Sequence, residues 1–162
     1  MTGRLRVRVG LAAVAVGIVA IAAQPASAST GIATIAGTGH FAAGLGLNPV
    51  AQGFNFNGEG VIATDSAAGT LACAIVGEDF IGTVAQGVGP FNGNCAVGSG
   101  ASVVAGNFTR EGTFLTVTGV ANGAVTGGFT GTCVFSPLAT VTTTPLAAIV
   151  DQFAVSCQFV IT

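Results

Sequence analysis

The chain has 162 residues, of which only four are basic and six are acidic, and hydrophobic residues make up 51% of it. Nucleic-acid binding needs Lys and Arg to displace counterions from phosphates, so this composition excludes nucleic acid as an expected partner. Eleven Phe and many Val and Ile argue against disorder, because disordered chains are poor in such residues. The chain contains no Trp and no Tyr, which argues against a site that stacks sugar rings on aromatic side chains.

Residues 1–28 have the pattern of a secretory signal peptide. Three arginines among the first nine residues precede an uncharged apolar run from Gly10 to Ala23, and Ala26-Ser27-Ala28 supplies a small-x-small cleavage pattern. The run is shorter than the roughly 20 residues that a membrane-spanning helix needs. We predict cleavage after Ala28, a secreted or cell-wall-associated product with no membrane contact, and a single domain over residues 29–162.

The four cysteines lie in the predicted mature part of the chain: Cys73, Cys95, Cys133 and Cys157. An even number in an exported chain predicts two disulfides, for which three connectivities are possible. The similar intervals favour Cys73–Cys95 and Cys133–Cys157, each joining neighbouring strands, although sequence alone does not choose among the three. The absence of a C-x-x-C motif argues against a redox or metal role for these thiols.

Apolar and polar residues alternate with a period of two along several segments, which predicts strands with one buried face. In residues 54–59, Phe54 and Phe56 alternate with asparagines. The same alternation gives three further inward sets: Phe91, Cys95 and Val97; Val125, Phe129, Cys133 and Phe135; and Phe153, Val155, Cys157, Phe159 and Ile161. Because each cysteine of these sets is in phase with the apolar residues, we expect the disulfides inside.

Glycine-containing pairs suggest where the strands turn. Asn122-Gly123 is the strongest candidate for a hairpin turn, and Arg110-Glu111-Gly112 is the second. Asn57-Gly58 and Asn92-Gly93 are candidates for turns or for bulges within strands. Ala139 to Pro145 is predicted to be the longest connection and an exposed loop.

These patterns predict an all-β fold of about eight to nine strands with two disulfides. Short connections in a chain of this size favour an antiparallel β-barrel or a barrel-like sandwich. The many glycines within strands are typical of bends at barrel corners.

Candidate catalytic and metal-binding residues are few. His40 is the only histidine and lacks a recognisable nucleophile frame, so we interpret it as a surface residue. Glu78-Asp79, with Asp65 nearby in the sequence, are candidates for a calcium site, but adjacent acids in a loop are more often simply solvated. Asp151 is in phase with the inward residues of the last strand, so it lies either at a bend on the rim or buried in a cavity. We assign no catalytic, cofactor-binding or metal residue.

The leading functional hypothesis is therefore an exported, non-catalytic β domain that is structural or contacts an unknown protein or surface partner. The alternative is a carrier that holds a small apolar ligand inside the barrel, where inward glycines would leave room. A small secreted hydrolase is the third hypothesis. The oligomeric state is not predicted.

Overall fold

Eight strands make up most of the chain in the computed structural model, which describes residues 27–144 and 147–162. They are β1 (Gly31–Leu45), β2 (Val50–Thr64), β3 (Ala68–Gly82), β4 (Gln86–Val97), β5 (Gly100–Glu111), β6 (Phe114–Gly123), β7 (Gly127–Thr144) and β8 (Ala147–Ile161). Each strand pairs antiparallel with the next, and β8 pairs with β1, so the sheet closes into a barrel. The all-β prediction is confirmed, and the architecture is a barrel. The predicted signal peptide falls outside the described residues except for its last two positions.

The period-two pattern places one face of every strand inside the barrel. In β4, every second residue from Gly87 to Val97 is buried and the intervening residues are exposed. The inward sets predicted from the sequence all belong to the core or pack against it. Closure suits such strands because it leaves no unpaired sheet edge among them.

Inward-facing glycines make room for phenylalanine rings from neighbouring strands. The ring of Phe153 on β8 lies against Gly39 on β1, and the ring of Phe129 on β7 lies against Gly119 on β6. A Cβ atom at either glycine would overlap the ring. The glycines within strands therefore set how closely the rings approach the barrel wall.

The predicted turns are partly corrected by the structure. Asn57-Gly58 and Asn92-Gly93 lie within β2 and β4, and each of these residues is paired with both neighbouring strands, so they are not turns. The β3–β4 register shifts immediately beyond the pair Val76–Asn92. Asn122-Gly123 ends β6, and the connection to β7 follows at residues 124–126. Of Arg110-Glu111-Gly112, only Gly112 lies in the turn, with φ 59°, while the other two residues belong to β5.

The prediction of an exposed loop from Ala139 to Pro145 is wrong for the residues that the structure describes. Residues 139–144 form the end of β7, where Thr140 pairs with Val150 and Val141 pairs with Ile149 of β8. The segment is rich in β-branched Thr and Val, which suit a strand backbone as well as an exposed loop. Pro145 lies outside the described residues.

Candidate functional site

Both disulfides lie inside the barrel between directly paired residues. Cys73 is opposite Cys95 with the Cα atoms 4.1 Å apart, and Cys133 is opposite Cys157 at 4.0 Å. The favoured connectivity is confirmed. Two disulfides are compatible with an extracellular protein.

The barrel interior holds an apolar cavity of about 180 Å³. All eight strands contribute to its lining, which includes both disulfides, aliphatic side chains and most of the phenylalanines. No polar atom of the lining residues is exposed to the cavity. Apolar cavities of roughly 150 Å³ remain dry and bind benzene or xenon, so this one has the size and chemistry of a binding site.

One end of the cavity is closed by aromatic side chains. We call it the aromatic end; it lies where β1, β3 and β5 finish, and its phenylalanines contact one another with ring centroids 4.6–6.4 Å apart: Phe41, Phe54, Phe80, Phe108, Phe135 and Phe153. Phe80 and Leu45 have no exposed surface. Large interlocked side chains therefore fill this end.

Arg110 completes the closure of the aromatic end. Its side chain points inward, is only 2% exposed, and has its guanidinium carbon 4.7 Å from the centroid of the Phe135 ring. Nη1 donates to the carbonyls of Val84 (3.1 Å) and Gly112 (2.7 Å), and Nη2 donates to the carbonyl of Thr83. Burial lowers the pKa of Arg110 from its ordinary value. These contacts bind the β3–β4 and β5–β6 connections together.

The inward position of Arg110 was missed by the turn prediction. The alternation of the sequence could have indicated that Arg110 points inward, because Ser102, Val104 and Phe108 on β5 are in phase with it and are buried. The charge makes such a residue look like a surface or turn residue. Nε of Arg110 is buried without a hydrogen-bond partner.

The other end of the cavity is covered by Val125 and by small polar residues, and we call it the serine end after Ser29, Ser66 and Ser102. Ser29 is 2% exposed, and its hydroxyl lies 2.5 Å from the hydroxyl of Ser66 in the β2–β3 turn. The same hydroxyl accepts from the backbone N–H of Thr126 at 3.2 Å, while the N–H of Ser29 donates to the carbonyl of Thr126. Ser29 therefore links two connections at this end.

The acidic residues considered for calcium binding do not come together. Glu78 and Asp79 are exposed on β3 near the aromatic end, whereas Asp65 lies in the β2–β3 turn at the serine end. The carboxylate of Asp65 accepts from the N–H of Thr30 at 3.0 Å and from its hydroxyl at 3.1 Å. Asp65 thus stabilises the segment that precedes β1.

His40 and Asp151 lie away from the cavity lining. His40 is exposed on β1, as expected for a surface residue. Asp151 falls at a register shift, because Gln152 and Val150 are paired on both sides and Asp151 is not. Asp151 is half-buried, and one of its carboxylate oxygens is buried without a hydrogen-bond partner.

The fold and its interior define a disulfide-bonded, closed eight-stranded antiparallel barrel with an apolar cavity. No protein-family model, curated protein or solved structure matches the chain. Among the described residues, no helix has both the length and the apolar character required to cross a membrane.

Proposed function

We propose that this protein is an exported, non-catalytic carrier that binds a small apolar ligand inside the barrel. The observation that carries the proposal is the cavity of about 180 Å³. The surface that faces this cavity is apolar and is formed by all eight strands. An apolar ligand would replace empty space there and gain dispersion contacts with the wall.

The cavity volume limits the size of the ligand. Sites for drug-sized molecules usually occupy about 300–1,000 Å³. The cavity here is smaller and closer to the roughly 150 Å³ that accommodates benzene. The ligand expected from this volume is a single aromatic ring or a short branched hydrocarbon.

The polar side chains in the lining support binding rather than catalysis. The hydroxyl of Ser102 donates to the carbonyl of Val125 at 3.2 Å and accepts from its N–H at 2.9 Å. Arg110 uses both terminal nitrogens on backbone carbonyls, and the four cysteines are joined in disulfides. None of these groups is a free nucleophile or base facing the cavity.

Toluene binding tests the proposal. With toluene at ten times its Kd, the free energy of unfolding should rise by about 1.4 kcal/mol, which corresponds to a Tm increase of roughly 3–5 °C for a domain of this size. Val117→Phe places a ring in the cavity from β6 and should abolish the increase. Val120→Phe is the matched control, because Val120 lies on the same strand but is 53% exposed.

The carrier proposal fails if saturating toluene leaves the Tm of the wild-type protein unchanged. It also fails if Val117→Phe and Val120→Phe respond to toluene equally, because binding would then lie outside the barrel. Calorimetric titration at constant temperature provides an independent measure of the same equilibrium.

A second candidate function, contact with a protein or surface partner, is favoured by apolar side chains on the outer wall. Ile32 is 63% exposed and is paired directly with Val160, which is also exposed, while exposed Val61 lies on the adjacent strand β2. If this surface mediates self-association, the protein will sediment as an oligomer and Ile32→Asp will return it to a monomer. A monomer at all concentrations would contradict that form of the hypothesis.

A further inference from the structure

We propose that residues 124–126, the connection between β6 and β7, form a hinged lid through which the ligand enters and leaves the cavity. The inference rests on the proposed carrier function, since it assigns the entrance of the same cavity. The connection lies at the serine end, and its central residue, Val125, is 3% exposed and lines the cavity.

The lid is flanked by two glycines that suit a hinge. Gly123 has φ 138° and Gly127 has φ 146°, values that other residues rarely adopt. Each glycine is the terminal residue of its strand, so a change in its dihedral angles would move residues 124–126 while the strand interiors stay paired. The movement would break the backbone hydrogen bond from the N–H of Ala124 to the carbonyl of Ala101. Hinges of this kind usually lie at the ends of secondary-structure elements.

Serine hydroxyls hold the closed lid in place. Ser102 bonds to both the N–H and the carbonyl of Val125, and Ser29 does the same for Thr126 through its hydroxyl and its own N–H. Two of the hydrogen bonds to the lid join backbone groups, from the N–H of Ser29 to the carbonyl of Thr126 and from the N–H of Ala124 to the carbonyl of Ala101. The lid is thus held by isolated hydrogen bonds rather than by a continuous strand partner. Such contacts are exchanged for water more easily than a continuous β ladder.

The two ends of the barrel differ in what opening would expose. At the serine end, opening uncovers Val125 and small neighbours such as Ala67 and Ala124. At the aromatic end, opening would separate Phe80 from its ring partners and remove Arg110 from three carbonyls. Exposure of apolar area costs free energy in proportion to that area, so the serine end opens at lower cost.

The segment before β1 acts as a strap over the same end. Thr30 is held by the carboxylate of Asp65, and its carbonyl accepts from the N–H of Asp65 at 3.0 Å. Ser29 is thereby fixed between the β2–β3 turn and the lid. If the predicted cleavage after Ala28 occurs, this strap becomes the first two residues of the mature chain.

A reversible lock tests the lid. A Cβ atom built at Gly100 would lie 2.7 Å from the Cβ of Ala124, so Gly100→Cys with Ala124→Cys would form a disulfide after a small shift. Toluene exchange, measured by NMR exchange spectroscopy, should slow at least tenfold in the locked protein. Mass mapping of the disulfides establishes that the native pairs are retained.

Two further variants separate the ends of the barrel. Ser29→Ala with Ser102→Ala removes the hydroxyls that hold the lid and should speed toluene exchange several-fold. Gln52→Leu is the matched control at the aromatic end, where the Gln52 amide accepts from the N–H of Ala43 and donates to the carbonyl of Gly44. It should leave the exchange rate unchanged.

The lid proposal is overturned if the lock does not slow exchange, or if Gln52→Leu speeds it while the serine variant does not. Either result with toluene still bound leaves the carrier function intact. If toluene does not bind, the carrier function fails. Amide hydrogen exchange then tests independently whether residues 124–126 open. The amides of Val125 and Thr126 should exchange faster than those of the β4 and β5 interiors, and the engineered disulfide should slow their exchange. Lid amides that exchange no faster than the strand interiors would overturn the lid proposal.

Discussion

Replacement of all four cysteines by alanine is expected to lower the free energy of unfolding by about 6 kcal/mol, at roughly 3 kcal/mol for each disulfide. The two disulfides close separate stretches of 22 and 24 residues, so their effects on the unfolded chain should add. Small domains are usually stable by about 5–15 kcal/mol, so the quadruple variant should be marginally folded or unfolded. Alanine is preferred to serine because all four positions are buried and apolar.

Urea unfolding of the two double variants and the quadruple variant measures this effect. Each double variant should lose about half of the total, and reduction of the wild-type protein should give the value of the quadruple variant. A quadruple variant with an unchanged urea midpoint would show that the interior packing alone stabilises the closed barrel.

The second large effect is expected for Gly60→Ala in β2. A Cβ atom at Gly60 would overlap the carbonyl oxygen and carbon of Thr34, which belong to the backbone of β1. A backbone carbonyl in a paired strand cannot move aside as a flexible side chain can, so β1 and β2 must separate locally. We expect a loss of more than about 2 kcal/mol of unfolding free energy, in the range of severe steric substitutions.

Gly46→Ala is the control for this substitution. Gly46 lies in the β1–β2 connection, and a Cβ atom there would meet nothing within 4 Å. Its replacement should change the stability by less than about 0.5 kcal/mol or raise it slightly, because alanine restricts the unfolded chain. Equal urea midpoints for the two variants would contradict the steric explanation of Gly60.

Several features of the site follow from local pattern in the sequence. The inward positions of Phe91, Cys95 and Phe153 follow from a period of two, because successive side chains of a strand point to opposite faces. These inward positions depend only on residues close together in the sequence. Two similar intervals favoured the observed cysteine pairing, but three connectivities remained possible until the structure placed β3 beside β4 and β7 beside β8.

Other features depend on strands that are distant in the sequence. Arg110 is a buried residue because carbonyls of Thr83 and Val84, from the β3–β4 connection, lie where its guanidinium ends. Ser29 is buried because Thr126 lies across the end of the barrel, 97 residues along the chain. Nothing local to either residue indicates these partners.

The sequence by itself determined that the chain forms alternating strands with apolar, disulfide-bonded interiors. Only the tertiary structure decided that β8 pairs with β1, that residues 139–144 extend β7, and that a cavity remains between the aromatic and serine ends. The physical reason is that alternation specifies which face of a strand is buried but not which strand it meets. Closure and cavity shape depend on how the phenylalanine rings pack against the glycines of neighbouring strands.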